Sequence, residues 1–119
     1  MKTILIVDDQ PGIRMLLSEV FSKEGFQTIS AGDGFDALKK AEEFKPDLVL
    51  LDMKLPGMDG IEILKRLKNR GGGPQVVMMT AYGELDLIEE SIGYGAARYF
   101  TKPFDVFEIR DAVKRMLSQ

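Results

Sequence analysis

The sequence predicts an α/β fold, a doubly wound parallel sheet of five strands alternating with five helices. Three observations lead to it. Short β-branched runs alternate along the chain with stripes of apolar residues spaced by three and four. The connections between them are short. One run, LVLL at 48–51, is apolar at every position, as a central parallel strand covered on both faces must be.

The elements follow in order. Ile4–Val7 reads as a strand that stops at Asp8-Asp9. Ile13, Leu16, Leu17, Val20 and Phe21 form a helical stripe, and Gly25 suits the residue just past its end. Phe26–Ser30 reads as a strand. Asp33 can cap a second helix, with Asp36 as a short capping-box partner and Ala37, Leu38, Ala41 and Phe44 facing inward. Pro46 ends that helix region. Asp47–Leu51 is the central strand, Pro56-Gly57 a turn, and Ile61, Leu64 and Leu67 a third helix. Gly71–Pro74 reads as a flexible connector. Gln75–Met79 is a strand, 84 to about 94 a helix, and Arg98–Thr101 the fifth strand. Ile109, Ala112, Val113, Met116 and Leu117 line a last helix.

The 119 residues suit one domain, 1–119, with no interdomain linker or repeat. A net charge of −3 gives no sign of a nucleic-acid surface. The chain has no cysteine and no histidine, which excludes disulfides, thiol catalysis, Ser–His–Asp chemistry and most zinc sites. Any metal is then a hard cation held by oxygen. The start, MKTILIVDDQ, is too short in apolar residues for a signal peptide or a membrane span, so a cytoplasmic protein is expected.

Ligands of open α/β sheets bind beyond the carboxyl ends of the strands. Asp8 and Asp9 follow strand one, Asp52 strand three, Thr80 strand four and Lys102 strand five. Each has a plainer reading alone: an Asp pair as a turn and helix cap, a threonine as a strand former, Lys-Pro as a surface loop. Their coincidence at one edge carries the argument. Three carboxylates there repel one another, and Mg²⁺ (with Mn²⁺ or Ca²⁺ as possible substitutes) is the natural remedy. With Lys102 the local charge sums to about zero. This suits a phosphoryl group, with an aspartate as nucleophile and the Thr80 hydroxyl as a donor to its oxygens.

ILIVDDQ at 4–10, DLVLLDMKLPGMDGIEIL at 47–64, VVMMTAYG at 76–83 and GAARYFTKPF at 95–104 resemble bacterial response-regulator receiver domains over nearly the whole chain. The resemblance implies the flavodoxin-like strand order 2-1-3-4-5. It implies Asp52 as phosphoacceptor, and Asp9, Asp52 and the backbone carbonyl of Lys54 as Mg²⁺ ligands, with Asp8 acting through water. It also implies Thr80 and Tyr99 as a switch pair, Lys102 as the phosphate-binding lysine, and a cis Lys102–Pro103 bond. A closer similarity, through GMDGIEILKR, MTAYGELD and EIRDAVK, is to the stand-alone phosphorelay receivers of sporulating bacteria. Tyr99 and Pro11 stand where that pattern has histidine and tyrosine. The implied partners are a sensor histidine kinase, a histidine phosphotransferase and a possible phosphatase, with no nucleic acid or membrane, and the chain is expected to be a monomer.

Gln10, Gly12, Ile13, Leu16, Tyr82, Pro103 and Phe104 form the expected docking rim, although Ile13 and Leu16 suit a core equally well. Lys54 and Tyr82 flank the site and are poorly suited to aim a hydrolytic water, so self-hydrolysis should be slow; the chain is then a phosphotransfer intermediary rather than a conventional enzyme. The alternatives are a chemotaxis-type receiver acting by binding and a receiver cut from a longer DNA-binding regulator. A flavodoxin-like cofactor binder fits poorly, because DDQPG would repel a flavin phosphate. A haloacid-type phosphatase lacks its second acid in Asp52-Met53-Lys54.

Overall fold

The structure is a computed structural model that describes residues 1–68, 73–81 and 85–118. Strand and helix alternate throughout: β1 (Thr3–Val7), α1 (Pro11–Lys23), β2 (Gln27–Ala31), α2 (Gly34–Phe44), β3 (Leu48–Asp52), α3 (Gly60–Leu67), β4 (Gln75–Ala81), α4 (Leu85–Gly93), β5 (Arg98–Lys102) and α5 (Val106–Leu117). The strands form one parallel sheet in the order β2-β1-β3-β4-β5, as the sequence implies.

Alternation along the strands builds two cores, one on each face of the sheet. Ile4, Ile6, Leu48, Leu50, Val77 and Met79 pack with Leu17 and Phe21 of α1 and Ile109 and Val113 of α5. Leu5, Val7, Val49, Leu51, Val76 and Met78 pack with Ala37 of α2 and Ile61, Ile63 and Leu64 of α3. Residues 48–51 are all fully buried, which explains their unbroken apolarity.

The helix boundaries have local causes. Pro11 opens α1, where its missing amide proton costs nothing, and Gly25, at φ 92°, turns the chain out after Glu24. The Asp33 carboxylate accepts the Asp36 amide at 2.8 Å. Asp59 and Asp105 cap α3 and α5 in the same way, at 2.9 and 2.8 Å from the amides of Ile61 and Phe107.

Several expectations need correction. β2 runs one residue later than expected. β3 is shifted likewise, because the Asp47 carboxylate leaves the strand to accept the Thr3 amide at 2.8 Å. β4 extends to Ala81 and β5 to Lys102, so Asp52 and Lys102 end their strands and Thr80 is the last residue but one of β4, rather than lying in the loops beyond. The Asp36 carboxylate does not complete a capping box; it pairs with Lys40 at 3.0 Å. Phe44, expected to face inward, is the last residue of α2 and is exposed. Gly71, Gly72 and Glu84, from the expected connector and fourth helix, lie outside the described residues.

Candidate phosphoryl-accepting site

β1 and β3 are neighbours in register, so the acids that follow or end them meet at one edge. Carboxylate oxygens of Asp8, Asp9 and Asp52 lie within 4.8 Å of one another. Asp8, Asp52 and Lys102 continue the alternation of Ile6, Leu50 and Phe100, so all three belong to the α1/α5 face.

Their surroundings differ in a way that separates their roles. Asp8 is fully buried and engaged on both oxygens, by the Gln10 amide at 2.9 Å and the Lys102 ammonium at 2.7 Å. Asp9 is exposed. Asp52 is buried but loosely held, with the Lys54 amide and Lys102 Nζ each at 3.3 Å. Burial pushes the Asp52 carboxyl above its usual range, against the opposing pull of Lys102. Burial also works against the Lys102 charge, but the hydrogen bond to Asp8 and the charges of Asp52 and Asp8 outweigh it and hold the ammonium above its ordinary value. Asp52 is therefore the one acid both shielded from water and free enough to present a lone pair.

Thr80 is fully buried and its hydroxyl donates to the Ala81 carbonyl at 3.2 Å. It continues the alternation of Val76 and Met78, which places it on the opposite face of β4 from Met79. Its register partner is Thr101, two residues after Tyr99, so Thr80 and Tyr99 share a face. Tyr99 is 42% exposed, which leaves its ring free of a fixed inward position. The Lys102–Pro103 bond is cis.

Of the expected docking rim, Gln10, Gly12, Leu16 and Pro103 are exposed. Gln10 Oε1 stands 3.4 Å from Lys102 Nζ. Ile13 and Phe104 are half-buried against the α1/α5 core, so a core role for Ile13 is partly right and for Leu16 is wrong. Tyr82 lies outside the described residues. Sequence reasoning missed Arg14, whose Nη1 donates to the Asp8 carbonyl at 2.6 Å; a side chain reaching a backbone atom leaves no pattern in a sequence.

Comparison with known proteins agrees with this geometry. The response regulator receiver domain family matches residues 4–114. Sporulation initiation phosphotransferase F of Bacillus subtilis is 63% identical over 114 residues, covering 96% of this chain and 92% of that protein. Regulatory protein AtoC of Escherichia coli is 41% identical over 96% of this chain, which spans only 25% of its length. Among solved structures, a CheY-like receiver domain protein from Methanospirillum hungatei superposes with a TM-score of 0.91 at 33% identity, over 99% of this chain and 94% of that one. Fold, acid cluster and sequence converge: the chain belongs to the response-regulator receiver family.

Proposed function

We propose that the chain accepts a phosphoryl group from a sensor histidine kinase on Asp52 and passes it to a histidine phosphotransferase, as an intermediate of a sporulation phosphorelay. One observation carries the reading: a shielded, loosely held carboxylate beside two further acids and one lysine. The 63% identity to sporulation initiation phosphotransferase F supports the relay role, and the receiver match over residues 4–114 supports reading 1–119 as one domain. Among the described residues no helix is long and apolar enough to cross a membrane.

The donor set fits Mg²⁺. It offers only oxygens, and the chain has no histidine or cysteine to favour a softer metal. Asp8 is held the more tightly, at 2.7 and 2.9 Å against 3.3 Å for both contacts of Asp52, so Asp9, Asp52 and the Lys54 carbonyl would ligate the cation and Asp8 would support it through water. Bound there, Mg²⁺ supplies charge that offsets the acids and the phosphoryl oxygens.

A carboxylate oxygen of Asp52 attacks the phosphorus of a phosphohistidine. The phosphorus–nitrogen bond breaks, its electron pair stays on the imidazole, and that nitrogen takes a proton from solvent. Lys102 moves from Asp8 toward the new phosphoryl oxygens, and the Thr80 hydroxyl leaves the Ala81 carbonyl to donate to another. Tyr99 follows into the vacated space, which alters the exposed surface of β5. In onward transfer a histidine nitrogen attacks phosphorus, and the electron pair of the broken phosphorus–oxygen bond returns to Asp52. Gln10, Gly12, Leu16 and Pro103 rim the site where the partner docks.

The test is transfer of labelled phosphate from a phosphorylated histidine kinase to the chain with Mg²⁺, and then to a histidine phosphotransferase, with Asp52→Asn as control. Label should arrive, depend on Asp52 and move on. With neither a carboxylate nor an amide at Lys54, the phosphorylated chain should outlast a few seconds. Label that passes only to water would replace the relay with a receiver acting by binding. No label from any donor would overturn the function.

A further inference from the structure

Asp9 is held less firmly than the acids beside it. Among the described residues no hydrogen bond or ion pair reaches its carboxylate. Its place is therefore set by its backbone, which two hydrogen bonds bracket. After Asp9, the Gln10 amide donates to Asp8 Oδ1 at 2.9 Å. Before it, Arg14 Nη1 donates to the Asp8 carbonyl at 2.6 Å and so fixes the plane of the Asp8–Asp9 peptide. The Asp8 amide is already tied to the Ala31 carbonyl at 3.2 Å, so Arg14 completes the hold on that turn.

Arg14 is well placed for this. It lies on the first turn of α1, four residues after Gln10, and is half-buried rather than extended into solvent. A Cβ at Gly32 would come within 3.1 Å of Arg14 Nη1, so the β2–α2 loop leaves room for the guanidinium by carrying no side chain there. A charged donor to a carbonyl is about twice as strong as a neutral one, and a guanidinium resists rotation because it is planar and forked.

We infer that Arg14 is a positioning residue for the cation site: it orients the Asp8–Asp9 peptide, and through it the otherwise unsupported Asp9 carboxylate. This rests on the proposal that Asp9 ligates Mg²⁺ for phosphoryl acceptance. Groups that orient metal ligands typically change affinity by about 10–100-fold when lost.

The experiment uses the whole chain and avoids any docking partner, since Arg14 borders the docking rim. Mg²⁺ binding is measured by calorimetry, and phosphorylation from acetyl phosphate is followed against Mg²⁺ concentration, with circular dichroism as a check of folding. Arg14→Ala should weaken Mg²⁺ about tenfold, while the rate at saturating Mg²⁺ stays close to wild type. Arg14→Lys should restore much of the affinity. Gly32→Ala, which crowds the guanidinium from the β2–α2 loop, should weaken binding in the same direction. A purely structural arginine would lower thermal stability without this split between affinity and saturated rate. If Arg14→Ala fails to fold, Gly32→Ala decides the matter. Wild-type affinity in a folded Arg14→Ala, or in Gly32→Ala where Arg14→Ala does not fold, overturns the inference while leaving phosphoryl acceptance intact. A wild-type chain with no Mg²⁺-dependent phosphorylation overturns the function and this inference with it.

Discussion

Gly60→Ala tests how closely the site depends on the packing beneath it. A Cβ at position 60 would stand 2.7 Å from Met53 Cα and 2.8 Å from the Met53 carbonyl oxygen, well inside the 3.4 Å at which ordinary contact begins. Both neighbours are backbone, so no side chain can swing away. The Gly60 amide also donates to the Met53 carbonyl at 3.2 Å, which ties the start of α3 to the end of β3. To relieve about 0.7 Å of overlap, either the Asp59-capped start of α3 must move or Met53 must move, and Met53 is bonded to Asp52. Overpacking of this kind costs about 1–3 kcal/mol, offset by up to about 1 kcal/mol from the better helix propensity of alanine. A net loss of about 1–2 kcal/mol lowers Tm by roughly 4–8 °C in a chain of this size. Displacement of Asp52 by a fraction of an ångström should slow phosphorylation from acetyl phosphate about tenfold, given that about 1 Å can cost 10²-fold. Gly93→Ala is the control, since nothing lies within 4 Å of its Cβ; it should hold or raise Tm and leave the rate unchanged. Thermal unfolding and the phosphorylation rate are measured on all three proteins. A Gly60→Ala protein with wild-type Tm and wild-type rate would refute the reasoning.

Three further outcomes follow from the same geometry. Because burial raises the Asp52 carboxyl above its unfolded value of 3.8, the folded state disfavours its ionised form; that penalty is full above the folded pKa and fades as pH falls toward 3.8. Asp52→Asn should therefore unfold at a higher temperature than wild type in EDTA near neutral pH, with the difference shrinking on acidification; a difference that grows instead would contradict the assignment. Lys102→Met leaves Asp8 and Asp52 facing each other without their cation, and should cost about 2 kcal/mol in EDTA once the partial exposure of the lysine is discounted; the melting temperature should recover on adding Mg²⁺, while phosphorylation falls about 10²-fold even at saturating metal. Phe21→Ala removes a fully buried ring that meets Phe26 edge-on at 6.0 Å, and should cost about 3–5 kcal/mol in chemical denaturation without changing the phosphorylation rate at temperatures where the chain stays folded.

Much of this molecule is legible in its sequence, and the parts that are not share a cause. Period and composition separate the strands from the helices because each face of the sheet must be covered, and LVLL at 48–51 announces the centre directly. Register and strand ends are less visible, because they depend on partners. β3 begins after Asp47 only because Thr3, 44 residues away, offers its amide. Spacing alone does not separate rim from core on α1 and α2: Leu16, which suits either, and Phe44, expected inward, both keep the apolar period and both are exposed. The caps at Asp59 and Asp105 were within reach, since Glu62 and Glu108 follow each at the spacing of a helix start. The acids and the lysine stood out as a set through topology alone. Their division into a bonded Asp8, an open Asp9 and a loosely held Asp52 required distances.

The site is stitched together from the far ends of the chain. Lys102 meets Asp8 across 94 residues and Asp52 across 50. All three acids have been synthesised by residue 52, yet their counter-charge arrives only with the last strand. A nascent chain still lacking β5, or one clipped before it, carries the proposed phosphoacceptor without the lysine beside it. On the proposed function, chemical competence is thus a certificate of completed folding, and a kinase offered a mixture of finished and unfinished chains would label the finished ones about 10²-fold faster.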